Sequence, residues 1–226
     1  MAILCRRVGW LLFLRLNGKS WAVMAELVDI LAAIRSCRVC VEAPQGTKLP
    51  HSPRPVLRVS STARLVICGQ APGTRVHKSG MPFTDPSGDR LRAWLDVTDE
   101  EFYDERRVAI VPMGFCFPGQ DKKGSDLPPR RECARLWHRD LFAALPRVEL
   151  ILAVGAYAQS FHLGAARGKT LTETMLHWRD HLAAARAPRV FPLPHPSWRN
   201  MAWLKKNPWF EAELLPILRG QVRGVL

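Results

Sequence analysis

The run RLVICGQAPGTRVHKSGMPFTDPSGDRL, residues 64–91, holds a strand, two loops and the start of a helix. Leu65-Val66-Ile67-Cys68 is short, apolar and partly β-branched, and it ends in turn residues, so it reads as a buried strand. Gly69-Gln70-Ala71-Pro72-Gly73 then forces a sharp loop at the strand's carboxyl end, where ligands of open α/β sheets sit. A basic arm with Arg75, His77 and Lys78 follows and reads as flexible. Gly80 to Asp89 is a second Gly/Pro-rich loop that sets Phe83 beside Asp85 and opens a helix at Ser87 or Gly88. A buried strand feeding such loops predicts half of an active site.

Outward from this stretch the same unit repeats. Val108–Pro112, Leu150–Val154 and Arg189–Phe191 predict three further strands, separated by segments with helical periodicity. Thr98-Asp99-Glu100-Glu101 is a capping-box pattern, and Pro128-Pro129 precedes the helix RRECARLWHRDLFAAL. LTETMLHWRDHL predicts one amphipathic helix, and a last helix runs over roughly residues 209–222. Strands alternating with helices predict one α/β domain, with a mainly parallel four-stranded sheet flanked by helices on both faces. The domain is expected over residues 24–226, because Met24 starts a clean helical pattern, MAELVDILAAIRSC.

Residues 1–23 read as an extension outside the domain, either unstructured or a misplaced start. Their apolar run, Gly9 to Leu16, is broken by Arg15 and is too short to span a bilayer. No other run is long enough, which predicts a cytoplasmic protein without a membrane partner. With 226 residues, 47% hydrophobic and 23% charged, the chain is globular rather than disordered. Lys and Arg number 33 against 20 Asp and Glu, a net charge of +13. That excess fits either a soluble Arg-rich protein or a partner of polyanions such as nucleic acid. No G-x-S-x-G elbow, P-loop or G-x-G-x-x-G occurs, which argues against serine hydrolases and nucleotide-binding loops.

Three loops that each follow a predicted strand now read together: Gly69–Gly73 with Gly80–Asp89, Met113–Gly119, and His195–Asn200. In this order they resemble the uracil-DNA glycosylase superfamily over about residues 27–218. GQAPG looks like its first motif, and HPSWRN, residues 195–200, looks like the HPS loop that enters DNA. GMPFTDPSGDRL is similar to the corresponding segment of the family-four and family-five enzymes. The resemblance implies a DNA glycosylase acting on a flipped-out base, the base stacked on Phe83 and its oxygen met by His195 and by backbone N–H groups of Gly69, Gln70, Ala71, Pro72 and Gly73 (proline excepted as a donor). Ser197 is implied to bind a phosphate, with Trp198 or Arg199 filling the gap left by the base and Asn200 closing the motif. Plain packing of Trp198 under the last helix remains the alternative. Arg75, Lys78, Lys205 and Lys206 are further candidate phosphate contacts.

Two departures stand out. The first motif holds Gln70 and Ala71, so it has no carboxylate; the nearest one is Asp85, expected to activate water and stabilise the sugar cation, or else merely to cap the helix behind it. Gln70 is expected to hold the water or the base edge. The pyrimidine-reading asparagine of many relatives is also missing, since the second strand ends Val111-Pro112-Met113-Gly114, and a wider choice of bases is expected. A catalytically silent damaged-DNA-binding module of the same fold is the alternative, and a metal-clustered hydrolase of nucleotides a more distant one.

Of the six cysteines, Cys37 and Cys40 form a C-x2-C pair, which in a reducing compartment points to metal or redox chemistry. Four thiolates suit iron–sulfur or zinc. The resemblance implies a [4Fe-4S] cluster on Cys37, Cys40, Cys116 and Cys133, with zinc or no metal as alternatives; the loop between the last two is about one residue longer than usual. Cys68 reads as core. His51, His138, His162, His177 and His181 lie off the motifs and read as surface or helix-face residues.

Overall fold

The structure, a computed structural model, describes residues 18–226, with side chains from residue 26 onward. Most of the expected 1–23 extension therefore lies outside the described residues. The first helix spans Gly18–Ser36, so its helical backbone starts six residues before Met24.

Strands β1 (Leu65–Cys68), β2 (Val108–Ile110), β3 (Leu150–Val154) and β4 (Arg189–Leu193) form one sheet in the order β2-β1-β3-β4. Every neighbouring pair is parallel. All four apolar runs are thus strands, as their β-branched composition predicts, and helices cover both faces. Alternate residues of each strand point to opposite sides. Leu65, Ile67, Leu150, Leu152, Phe191 and Leu193 pack on helices Pro86–Leu95 and Leu215–Val225. Val66, Cys68, Ile151, Ala153 and Val190 pack on the first helix and on helix Ala156–Leu163. Cys68 is fully buried, and that burial pushes its thiol well above its ordinary range.

From β1 the chain crosses outward to the edge strand β2, then returns past β1 to β3. The loops after β1 and β3 therefore leave in opposite directions and open a crevice between the carboxyl ends of two adjacent strands. Because the sheet is wholly parallel, the loops after β2 and β4 end at the same edge. The fold positions the site by this reversal.

Several local expectations change. The basic arm is helical over Thr74–Ser79, closed by Gly80 in the left-handed conformation (φ 76°), whose N–H bonds back to Val76. LTETMLHWRDHL is two helices, Leu171–Leu176 and Trp178–Ala183, with His177 as the break. The helix from Arg131 widens into a π turn at Ala134–His138. Among the described residues, no helix is long and apolar enough to cross a membrane.

Candidate active site

The GQAPG loop is tied to the loop that follows β2. Backbone N–H groups of Met113 and Gly114 donate to the carbonyls of Gly69 and Gln70 at 2.9 and 3.0 Å. Above Gly69 lies the ring of Phe83, so near that a Cβ on Gly69 would meet Cζ at 3.3 Å. Phe83 has φ 56°, a left-handed backbone that a bulky residue adopts only where its surroundings impose it. Its carbonyl accepts from Arg92 Nη1 at 3.2 Å and shares the Tyr103 hydroxyl, also 3.2 Å away, with the nearer Pro82 carbonyl at 2.9 Å. Its ring stands edge-on to Phe102 at 5.8 Å. Gly88 passes directly beneath: a Cβ there would fall 1.8 Å from the Phe83 oxygen. A strained aromatic is thereby fixed with its ring over the GQAPG loop.

Asp85 caps the helix Pro86–Leu95. Its Oδ1 accepts from Gly88 N at 3.2 Å and from Ser87 Oγ at 2.6 Å. The capping role weighed against a catalytic one is therefore real, but it occupies one oxygen, and the residue also lines the crevice. The charge of Asp85 acts on His195 across that crevice. Burial holds the His195 imidazole below its ordinary range, with Asp85 pulling the other way and Arg199 adding to the burial effect. At neutral pH the ring is uncharged and offers one N–H donor.

His195 rests against Gly155, the residue after β3, where a Cβ would lie 3.4 Å from the His195 Cβ. Gly155 has φ 84° and ψ 169°, a region essentially reserved for glycine. The HPS loop is fastened at two carbonyls: His195 O accepts from Asn200 Nδ2 at 2.7 Å, and Pro196 O from Arg90 Nη1 at 2.6 Å. Trp198 is 76% exposed, which removes the packing alternative. Arg199 lies 5.8 Å from the Trp198 ring centre and donates to Ser125 Oγ at 3.0 Å.

These loops enclose a cavity of about 600 Å³. Gly69, Gln70, Ala71, Pro72, Gly73, Phe83, Asp85, His195, Ser197, Trp198, Arg199 and Asn200 all line it, so the two neighbouring loops after β1 and the distant loop after β4 supply one site. Arg75 borders a smaller adjoining hollow of about 290 Å³. Lys78, Lys205 and Lys206 are exposed and line neither.

Sequence reading missed part of the wall. Asp126 lines both hollows, and its Oδ2 would meet a Cβ on Gly73 at 3.1 Å. It belongs to a tight turn in which Gln120 Nε2 donates to Asp126 Oδ1 at 3.2 Å. In sequence that turn is simply polar. Tyr157, Gln159 and Arg167 also line the cavity. Gln159 is 1% exposed and donates to the Leu193 carbonyl at 2.8 Å, tying the helix after β3 to the end of β4.

Cys40 and Cys116 share a small apolar cluster with Leu49, and Cys133 belongs to the larger core beside it. Cys40, Cys116 and Cys133 are buried and Cys37 partly so. The Cys133 thiol donates to Cys40, lowering Cys40 to about 7 and pushing Cys133 up. Cys116 is pushed up to about 12, first by burial and also by Cys40 and Cys37. Cys40, Cys116 and Cys133 are thus electrostatic neighbours, and Cys37 acts on Cys116. Among the described residues, no three His, Cys, Asp or Glu side chains come together as ligands of a single ion. The off-motif histidines need correcting as well. His138 is wholly buried and His181 nearly so, because the π turn rotates His138 inward onto Phe115 at 5.4 Å.

A family model described as the Uracil DNA glycosylase superfamily matches residues 58–219. The chain belongs to this superfamily. The match takes in all four strands of this superfamily member and every residue named above on the cavity wall. It leaves Cys37 and Cys40 outside.

Proposed function

We propose that this superfamily member is a monofunctional DNA glycosylase removing uracil, and other deaminated or damaged bases, by attack of water on the N-glycosidic bond. One observation carries the reading: Phe83, Asp85, His195 and the GQAPG backbone converge on one cavity at the sheet's switch point. A flipped base gives up stacking worth a few kcal/mol and needs a replacement surface; the Phe83 ring supplies it. As the C1′–N bond breaks, its electron pair stays on the base, and charge builds on the base oxygen. A neutral His195 N–H and the backbone N–H groups of the loop stabilise that charge without first giving up a proton. The sugar becomes cationic at C1′, and Asp85 supplies the opposing carboxylate through the oxygen its cap leaves free. Water bonded to Asp85 or Gln70 adds to C1′ and loses a proton, the base gains one, and an abasic site and free base result. Among the described residues no lysine lines the cavity, which supports hydrolysis by water without a Schiff-base lyase step.

The cavity volume falls within the range of ordinary ligand sites and leaves room for a purine. Gly73 adds no side chain to narrow it. Cys37, Cys40, Cys116 and Cys133 would hold a [4Fe-4S] cluster, which would cross-link the segment after the first helix to the loop after β2 and the helix that follows it. Arg75 and Arg199, with the exposed lysines, give the DNA backbone its positive counterpart, and binding is expected to weaken steeply with salt.

The test is alkaline cleavage of oligonucleotides carrying uracil, hypoxanthine, xanthine or etheno-cytosine after incubation with the protein. Cleavage at several bases supports the reading, and cleavage at uracil alone overturns the broad selectivity. A shifted but uncleaved complex would favour the silent DNA-binding module, the reading that Ala71 in place of a carboxylate supports.

A further inference from the structure

Exposed apolar side chains gather at the mouth of the cavity. Leu127, Tyr157 and Trp198 line it while being 37%, 42% and 76% exposed. Trp198 stands on the HPS loop, and Tyr157 stands on the opposite lip, in the first turn of the helix Ala156–Leu163. Four residues on, Phe161 is 45% exposed on the same helix face. The two rings are separated by about 6 Å along the helix axis. Folding does not require either ring to face water, and such exposure of large aromatics marks an interaction surface.

The charge around this lip selects the occupant. Residues 155–172 contain no Asp or Glu but include Arg167 and Lys169. Arg167 lines the cavity and donates through Nη1 to Ser160 Oγ at 3.1 Å, which holds its guanidinium on the flank of the helix beside Tyr157, three residues from Ser160. Flat rings beside fixed cations, running away from a base-sized cavity, suit unpaired nucleobases on a phosphate backbone. In a duplex the bases are already stacked on one another and present no face to these rings.

We propose that Tyr157 and Phe161 form a stacking track for the unpaired bases flanking the excised nucleotide, with Arg167 countering the phosphates, so that the protein holds single-stranded DNA along this helix. The proposal rests on the glycosylase reading for the identity of the cavity, but it concerns a surface outside the site motifs.

The test is fluorescence anisotropy with the full chain, using a labelled, undamaged oligothymidine and a duplex of equal length. Stacking is worth about 1–3 kcal/mol per base, so Tyr157→Ala and Phe161→Ala are each expected to weaken single-strand binding roughly 5- to 150-fold. Tyr157→Trp restores it, and duplex binding stays within about twofold of the wild type. The proposal is overturned if the alanine variants, melting at the wild-type temperature, bind the single strand as tightly as wild type. Equal losses on single strand and duplex also overturn it, as does a wild-type protein that does not bind the single strand. Wild-type binding lost in Tyr157→Ala, but with no base released from a uracil strand, would sink the glycosylase reading and leave the track standing. Base release that Tyr157→Ala and Phe161→Ala leave untouched, with binding also untouched, would sink the track alone.

Discussion

Replacing Gly88 by alanine tests how the site is built, because the expected sign opposes the usual one. Gly→Ala inside a helix ordinarily stabilises by about 1 kcal/mol. Here the new Cβ would lie 1.8 Å from the Phe83 carbonyl oxygen. Restoring an ordinary contact displaces that oxygen by about 1.5 Å, beyond hydrogen-bond reach of its two donors. Phe83 O then loses Arg92 Nη1, now at 3.2 Å, while the single Tyr103 hydroxyl hydrogen keeps its shorter bond to Pro82 O at 2.9 Å. A bond from a charged donor contributes about 2 kcal/mol. Against a helix gain of about 1 kcal/mol, the net loss is about 1 kcal/mol. For a chain of this length that lowers the melting temperature by roughly 2–4 °C. Base excision should fall further than stability, since the Phe83 ring leaves its place over Gly69. Thermal melts and excision rates on the same preparation check both. A Gly88→Ala protein that melts at or above the wild-type temperature and remains fully active would refute this account of the Phe83 platform.

Acid should destabilise the fold through His138, whose imidazole is lowered to about 4, first by burial. The unfolded chain then binds a proton near pH 6.5 that the folded chain refuses, so stability present above pH 6.5 is lost as pH falls toward 4; about 2 kcal/mol should be gone at pH 5. Urea midpoints measured from pH 7 to 5 check this, and a flat profile contradicts it. Gly73→Val should narrow the cavity beside Asp126 and cut excision of hypoxanthine at least tenfold relative to uracil, read from paired single-turnover rates. Anaerobically prepared protein should absorb in the visible and contain iron and sulfide, and Cys133→Ser should lose both; colourless protein containing zinc contradicts the cluster.

The strands were legible because each is a short apolar run closed by Gly or Pro, although β4 runs on through Pro192 to Leu193, whereas the switch point comes from the sheet order, which no local sequence pattern carries. The motif loops were legible for a related reason: glycine and proline mark sharp turns wherever they fall. Asp126, Tyr157 and Arg167 were not, because a residue in a polar turn or on a helix carries no local mark of the cavity that distant segments build around it. Helical periodicity also failed at His138, since the π turn shifts which face points inward. The segment Thr74–Ser79 is short and flanked by glycines, and so reads as loop although it closes a hydrogen-bonded turn. The exposure of Trp198 and the strained backbone of Phe83 are tertiary properties, set by Arg90 and Asn200 in one case and by Gly88, Arg92 and Tyr103 in the other.

The most direct measurement is the single-turnover rate of uracil release from an oligonucleotide by wild type, Asp85→Asn and His195→Ala. Loss of one preorganised donor or of the opposing carboxylate should slow release about 100-fold or more in each variant, with DNA binding retained. Release by the wild type that persists unchanged in both variants would contradict the assignment of the chemistry to Asp85 and His195.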